Sequence, residues 1–221
     1  MTLRLHLHPL SSYCWKALIA FYEASVPFEP VMLGNLGDPA ERARFDALWP
    51  LGKFPVLEDT ESGLVLGEVS VIVEHLARTQ PAAAGLVPLD WEAAREVRLL
   101  DRVFDPYLQG PMQRITSDLL RPEEVRDPYG RAQAKQELLK AYDVLEQRLA
   151  GRAWAAGEGF TLADCAAAPA LFYGHMRQPI PETLSTLTAY RKRLEARPAV
   201  ARAIAEAQPY LHMVPREGPG A

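Results

Sequence analysis

Six residues, Ser11-Ser12-Tyr13-Cys14-Trp15-Lys16, close an alternating strand pattern and open a long helical run. Hydroxyls at a helix N-terminus stand where unpaired backbone N–H groups and the helix dipole favour an anion. Further along, Gly52-Lys53-Phe54-Pro55-Val56-Leu57 sets a proline at the mouth of a second strand pattern. A proline there suits a cis peptide bond that turns backbone groups toward a ligand. The two features together describe a site that holds a small thiol as its thiolate. A donated hydrogen bond and a helix N-terminus both favour the charged sulfur over the neutral one, and the thiolate is the attacking form. Serine in this role donates; it does not remove the proton. The bland alternative is that Ser11 and Ser12 only cap the helix, which serine does well.

Other reactive side chains offer less. Two cysteines, Cys14 and Cys165, argue against a disulfide framework and against structural zinc. Cys165 follows a Thr161-to-Asp164 capping box and reads as a buried, inert thiol. His6 and His8 share one face of the first strand, yet no third ligand lies nearby in sequence, so no metal is expected.

The elements that must position these residues follow from hydrophobic periodicity. Leu3, Leu5 and Leu7 alternate with polar residues as a first strand, and Ser11 to Ala24 is helical. Val26–Leu33 reads as a strand and Pro39–Leu48 as a short helix. Two short strands, Pro55–Glu58 and Leu64–Leu66, precede a helix over Glu68–Thr79 with Val69, Ile72, Val73 and Leu76 on its apolar stripe. This βαβαββα order predicts a small mixed sheet with helices on its faces, over residues 1–80. Residues 81–89 read as a proline-containing linker, and 90–221 as all-helical. Long helical runs are expected over Asp90–Leu120 and Pro128–Leu149, shorter ones over Leu162–Met176, Leu184–Ala196 and Ala199–Ala207, then an irregular tail.

Composition narrows the function. The chain has 221 residues, a net charge of −4 and no basic block, which excludes a nucleic-acid footprint. No apolar run approaches the roughly 20 residues of a membrane span. The start lacks the long apolar region of a signal peptide, so a cytoplasmic location is the default expectation.

The whole pattern resembles the cytosolic glutathione S-transferases. Four motifs carry the resemblance: the Ser11–Lys16 turn, Gly52–Leu57, Gly67-Glu68-Val69-Ser70-Val71-Ile72, and the Thr161–Asp164 box. The resemblance implies a thioredoxin-like N-terminal domain, an all-helical C-terminal domain, glutathione as co-substrate and a homodimer. The Ser-Ser-Tyr-Cys-Trp-Lys stretch looks most like the zeta and theta classes, which makes Ser11 or Ser12 the thiolate partner and Cys14 a residue facing the fold. Lys53, Phe54 and Pro55 match the family's tripeptide-binding loop, and Glu68, Val69 and Ser70 its γ-glutamyl site. There the family usually shows Glu-Ser, whereas this chain has Glu68-Val69. Losing a hydrogen bond to a charged group weakens binding by about 1.5–3 kcal/mol, and Ser70 is the residue placed to substitute in part. The second, electrophilic substrate is expected against Tyr107, Met112, Ile115, Phe172 and His175, with Tyr210 or Met213 beyond them.

Three readings follow. The first is a transferase that adds the thiolate to a small electrophile. The second is a glutathione-dependent cis–trans isomerase of the maleylacetoacetate or maleylpyruvate type, which needs one of Arg4, Lys16, Arg114 or Arg177 brought to the cleft to hold a dicarboxylate. The third is a non-catalytic fold-mate that binds a ligand or a protein.

Overall fold

The computed structural model describes residues 2–34 and 37–217. The final four residues of the expected irregular tail lie outside that range.

Strand β1 (Leu3–Leu7) buries alternate residues, as its pattern demands, and runs through the middle of the sheet. It pairs in parallel with β2 (Glu29–Met32) and antiparallel with β3 (Val56–Asp59); β4 (Leu64–Leu66) completes the order β2-β1-β3-β4. The second strand starts later than its hydrophobicity suggests. Ser25 takes φ 50° and Val26 N–H still bonds Phe21 O at 3.0 Å, so these residues finish the preceding helix.

Helix α1 (Ser12–Glu23) is buried on almost every side, because it lies between the sheet and the helical half. Trp15 sits at that seam. Its ring lies 4.9 Å from Phe172 and 5.0 Å from Tyr173, and its indole N–H donates to Pro9 O at 2.6 Å. Helix α2 (Pro39–Leu48) is capped by Asp38, with Pro39 at its first position. Helix α3 (Val69–Thr79) buries the expected stripe of Val69, Ile72, Val73 and Leu76. A Cβ on Gly67 would collide with the Trp49 ring, so only glycine lets the chain pass into α3 here.

Residues Pro81–Leu86 form a 3-10 stretch, and the regular structure described after it is helical: α4 (Trp91–Phe104), α5 (Gly110–Leu119), α6 (Pro128–Arg148), α7 (Leu162–Arg177), α8 (Ser185–Glu195) and α9 (Pro198–Ala207). The tail, expected to be irregular, instead winds into another 3-10 stretch over Gln208–Met213. The single run expected over Asp90–Leu120 is divided by one π turn, Asp105–Gln109, in which Gly110 N–H reaches back to Asp105 O. Pro106 lacks an N–H to donate, and the wider turn accommodates it. Helix α7 opens on the anticipated box. The Asp164 carboxylate accepts from Thr161 N at 2.8 Å, Ala155 N at 2.8 Å and the Tyr190 hydroxyl at 2.7 Å. One continuous hydrophobic core links the sheet, α1 and the helical half.

A two-chambered cleft as the candidate active site

Two chambers meet at Phe54 between the sheet-bearing half and the helices. The first encloses about 360 Å³ and is lined by Tyr13, the Lys53–Pro55 loop, the start of α3 at Glu68–Ser70, and Arg102, Asp105, Pro106 and Gly110. The Phe54–Pro55 peptide is cis, as the motif suggests. Glu68 precedes α3 with φ 59° and ψ 100°, a strained conformation for a residue with a Cβ. Strain of this kind persists where surrounding structure enforces it, often beside a binding site. The first backbone N–H groups of α3 have no acceptor within the helix, and they belong to residues that line this chamber.

A charged cluster forms the floor. Lys16 has no exposed surface, and its ammonium ion-pairs with Asp105 at 2.7 Å and with Asp101. It also donates to Ser70 Oγ at 2.9 Å, while the Ser70 hydroxyl donates to Asp101 Oδ2 at 2.8 Å. Arg102 Nη2 joins from the chamber side, bonding Asp101 and Asp105 at 2.7 Å each and reaching Ser70. The Arg102 side chain stays 53% exposed. Among the described residues its Nη1 has no hydrogen-bond partner. Burial pushes the Asp105 carboxyl up, against the opposing pull of Lys16.

The second chamber, of about 280 Å³, is lined by His8, Ser11, Ser12, Phe54, Met112, Gln113, Thr116, Tyr173, Arg177 and the Met213–Pro215 tail, among others. Ser11 is the N-cap of α1 and accepts from Cys14 N at 3.3 Å. Ser12 is nearly buried, with Gln113 Nε2 donating to its hydroxyl at 3.4 Å. Cys14 points into the core, where burial pushes its thiol up to about 12. Tyr13, between these residues in sequence, faces the first chamber instead. Its phenol is pushed up to about 12, chiefly by burial and then by Asp105.

Lys53, Phe54, Pro55, Glu68, Val69 and Ser70 thus share one chamber, and Ser11, Ser12 and Met112 the next. Ser70 does not stand in freely for the missing hydroxyl, because its one proton goes to Asp101. The polar group at that wall is Arg102, a residue that no motif in the sequence singles out. The expected second-substrate set needs correction. Tyr107 is 63% exposed and Ile115 fully buried, and neither lines a chamber. The π turn explains this, since it rotates the residues after Asp105 away from the faces a continuous helix would give them. Phe172 packs on Trp15, and the residue after it, Tyr173, faces the chamber in its place. His175 lies outside too, its Nδ1 accepting from Ile180 N at 3.1 Å. Of the four basic candidates, Arg4 pairs with Glu29, Arg114 with Glu137 and Lys16 with its two aspartates. Only Arg177 of those four lines the second chamber.

Comparison with known proteins bears on this architecture. The family model "Glutathione S-transferase, N-terminal domain" matches residues 5–84, and "Glutathione S-transferase, C-terminal domain" matches residues 112–198. A glutathione S-transferase of Pseudomonas putida is 33% identical over 73% of this chain and 70% of its own. The chain belongs to the glutathione S-transferase family. By sequence and by fold it is a glutathione transferase, with a thioredoxin-like N-terminal domain and a helical C-terminal domain. FtsZ-localized protein A of Caulobacter vibrioides is also similar, at 30% identity over 94% of this chain and 92% of that one. Among solved structures, a glutathione S-transferase of Methylobacillus flagellatus crystallised with GSH bound superposes with a TM-score of 0.81 at 25% identity, covering 91% of this transferase and 98% of its own chain. An epsilon-class transferase of the housefly shares the fold, with a TM-score of 0.85 at 21% identity over 96% of each chain. No helix among the described residues is long and apolar enough to cross a membrane.

Proposed function

We propose that this transferase lays glutathione along the first chamber and attacks an electrophile held in the second. The tripeptide backbone pairs with Phe54, Lys53 reaches the glycyl carboxylate, and the N-terminus of α3 with Arg102 receives the γ-glutamyl carboxylate. The sulfur then rests at the junction beside Phe54, near the N-terminus of α1, where Ser11 or Ser12 donates to it. That donation and the helix dipole stabilise the thiolate, and the thiol proton leaves to solvent. The thiolate forms the new bond to the electrophilic carbon as the leaving group or π pair departs. The observation that carries this reading is the juxtaposition, across one phenyl ring, of a serine-bearing helix start with the Lys53–Pro55 loop and the start of α3.

The test is a paired Ser11→Ala, Ser12→Ala variant. Conjugation should slow by roughly ten- to a hundredfold, the value of a hydrogen bond to a charged group, with glutathione binding little changed. Full activity in that variant refutes the serine role. A second reading rests on Tyr13, which shares the chamber of the peptide loop and stays a phenol at neutral pH. If Tyr13→Phe rather than the serine variant abolishes turnover, the phenol is the donor. Failure of calorimetry to detect glutathione at millimolar concentration would favour a non-catalytic carrier instead. The proposal extends to a zeta- or theta-like class, a cytoplasmic location and a homodimer, the last checked by a two-chain mass in light scattering.

A further inference from the structure

We propose that the second chamber selects electrophiles bearing a carboxylate, with Arg177 as the group that grips it; this rests on the transferase reading above. Arg177 ends α7 and is only 7% exposed. Its Nε donates to Thr116 Oγ1 at 3.0 Å and its Nη1 to Pro215 O at 2.6 Å. Both acceptors are neutral, and Nη2 has no partner among the described residues. No carboxylate among those residues lies within ion-pair distance of it. Glu217 offsets part of the cost of its burial, but that side chain is bound to Lys135 at 2.7 Å. A buried cation without a paired counter-ion is costly, and a ligand anion relieves that cost.

The rest of the lining has the same bias. Among the described residues, no Asp or Glu contributes to the chamber. The Tyr173 hydroxyl is buried there and has no partner among the described residues. His8 Nδ1 accepts from Leu10 N at 3.2 Å, which leaves the ring hydrogen on Nε2 and makes that edge a donor. Gln113 Nε2 makes only a long contact to Ser12. A cation and several uncommitted donors, with no acid among the described lining residues to oppose them, suit an anionic head group, while Phe54 and Met112 offer an apolar wall for the carbon frame.

A matched pair of probes tests this in the intact protein. With 4-chloro-3,5-dinitrobenzoate or its methyl ester, the glutathione sulfur forms a C–S bond as the C–Cl bond breaks. Chloride leaves with the electron pair, and the thiol proton passes to solvent. After correction for uncatalysed rates, kcat/KM should favour the acid by roughly ten- to a hundredfold. That ratio should collapse in Arg177→Gln and partly return in Arg177→Lys. Equal turnover of acid and ester overturns the inference, and so does an Arg177→Gln variant that loses both equally, since Arg177 then only ties down the tail. The wild-type ratio needs no variant, so misfolding of one does not blunt the test. If neither probe reacts, the transferase reading fails by itself, and calorimetry with 3,5-dinitrobenzoate, which lacks a leaving group, still decides the anion site. Binding that disappears in Arg177→Gln supports the site; no binding to the wild type overturns it.

Discussion

Replacing Lys16 by Met tests the charged floor of the first chamber. The Lys16 side chain is wholly buried, and its partners Asp101 and Asp105 are 3% and 8% exposed. Removing the ammonium leaves two buried carboxylates facing each other with Arg102 alone between them and water. Breaking a buried pair by deleting one partner costs about 3–5 kcal/mol. Arg102 still bonds both acids, which puts the expected loss near the lower end, about 3 kcal/mol. For a chain of this size each kcal/mol moves the melting temperature by about 2–4 °C, so a fall of roughly 6–12 °C is expected. Urea unfolding followed by circular dichroism gives the free energy, and thermal melts give the shift. Adding Asp101→Leu and Asp105→Leu should recover much of the loss, because no charge then needs a partner in the interior. A single variant costing less than about 1 kcal/mol, as for an exposed pair, would refute the reasoning, as would a triple variant no better than the single one.

Restoring the hydroxyl with Val69→Ser should tighten glutathione binding by roughly ten- to a hundredfold in calorimetry; an unchanged Kd would show that Arg102 already fills that role. Stability should also weaken on the acid side. Burial lowers the pKa of both His8 and His175, and each Nδ1 accepts a backbone N–H. The unfolded chain, with histidines near about 6.5, therefore binds protons more readily than the folded one. Unfolding free energy should fall as pH drops from 7.5 through about 6.5 and level off only below the folded values. Asn at both positions should flatten that limb, measured by denaturant titrations at pH 7.5 and pH 5.

Much of the architecture was legible because short-range rules govern it. Alternating leucines placed β1, a 3.6-residue stripe placed α3, and Thr161 with Asp164 marked the start of α7. The loop at Phe54–Pro55 and the serine turn were readable for the same reason, since each motif is contiguous. What could not be read depends on long-range geometry. Pro106 sits inside a helical pattern without saying whether the helix kinks, ends or widens, and the π turn carries Tyr107 and Ile115 off the faces that a continuous helix would give them. Ser70 has a hydroxyl at the right place in sequence, but Asp101, from the other half of the chain, takes its proton. Arg102 and Arg177 share a residue type with many surface cations, and only the fold separates them. Phe172 and Tyr173 are adjacent aromatics, and a rotation of about 100° per residue decides which one faces the chamber.

The lysine–aspartate trio has a consequence for how this chain can be recombined. Lys16 comes from the sheet-bearing half and both of its acids from the helical one, so neither half carries a neutral seam. A chimaera joined between α3 and α4, with one half drawn from a relative that lacks the matching charges, would seal unpaired ions into its interior, one ammonium or two carboxylates according to the half exchanged. Exchange between such proteins must move positions 16, 101 and 105 as one inherited unit.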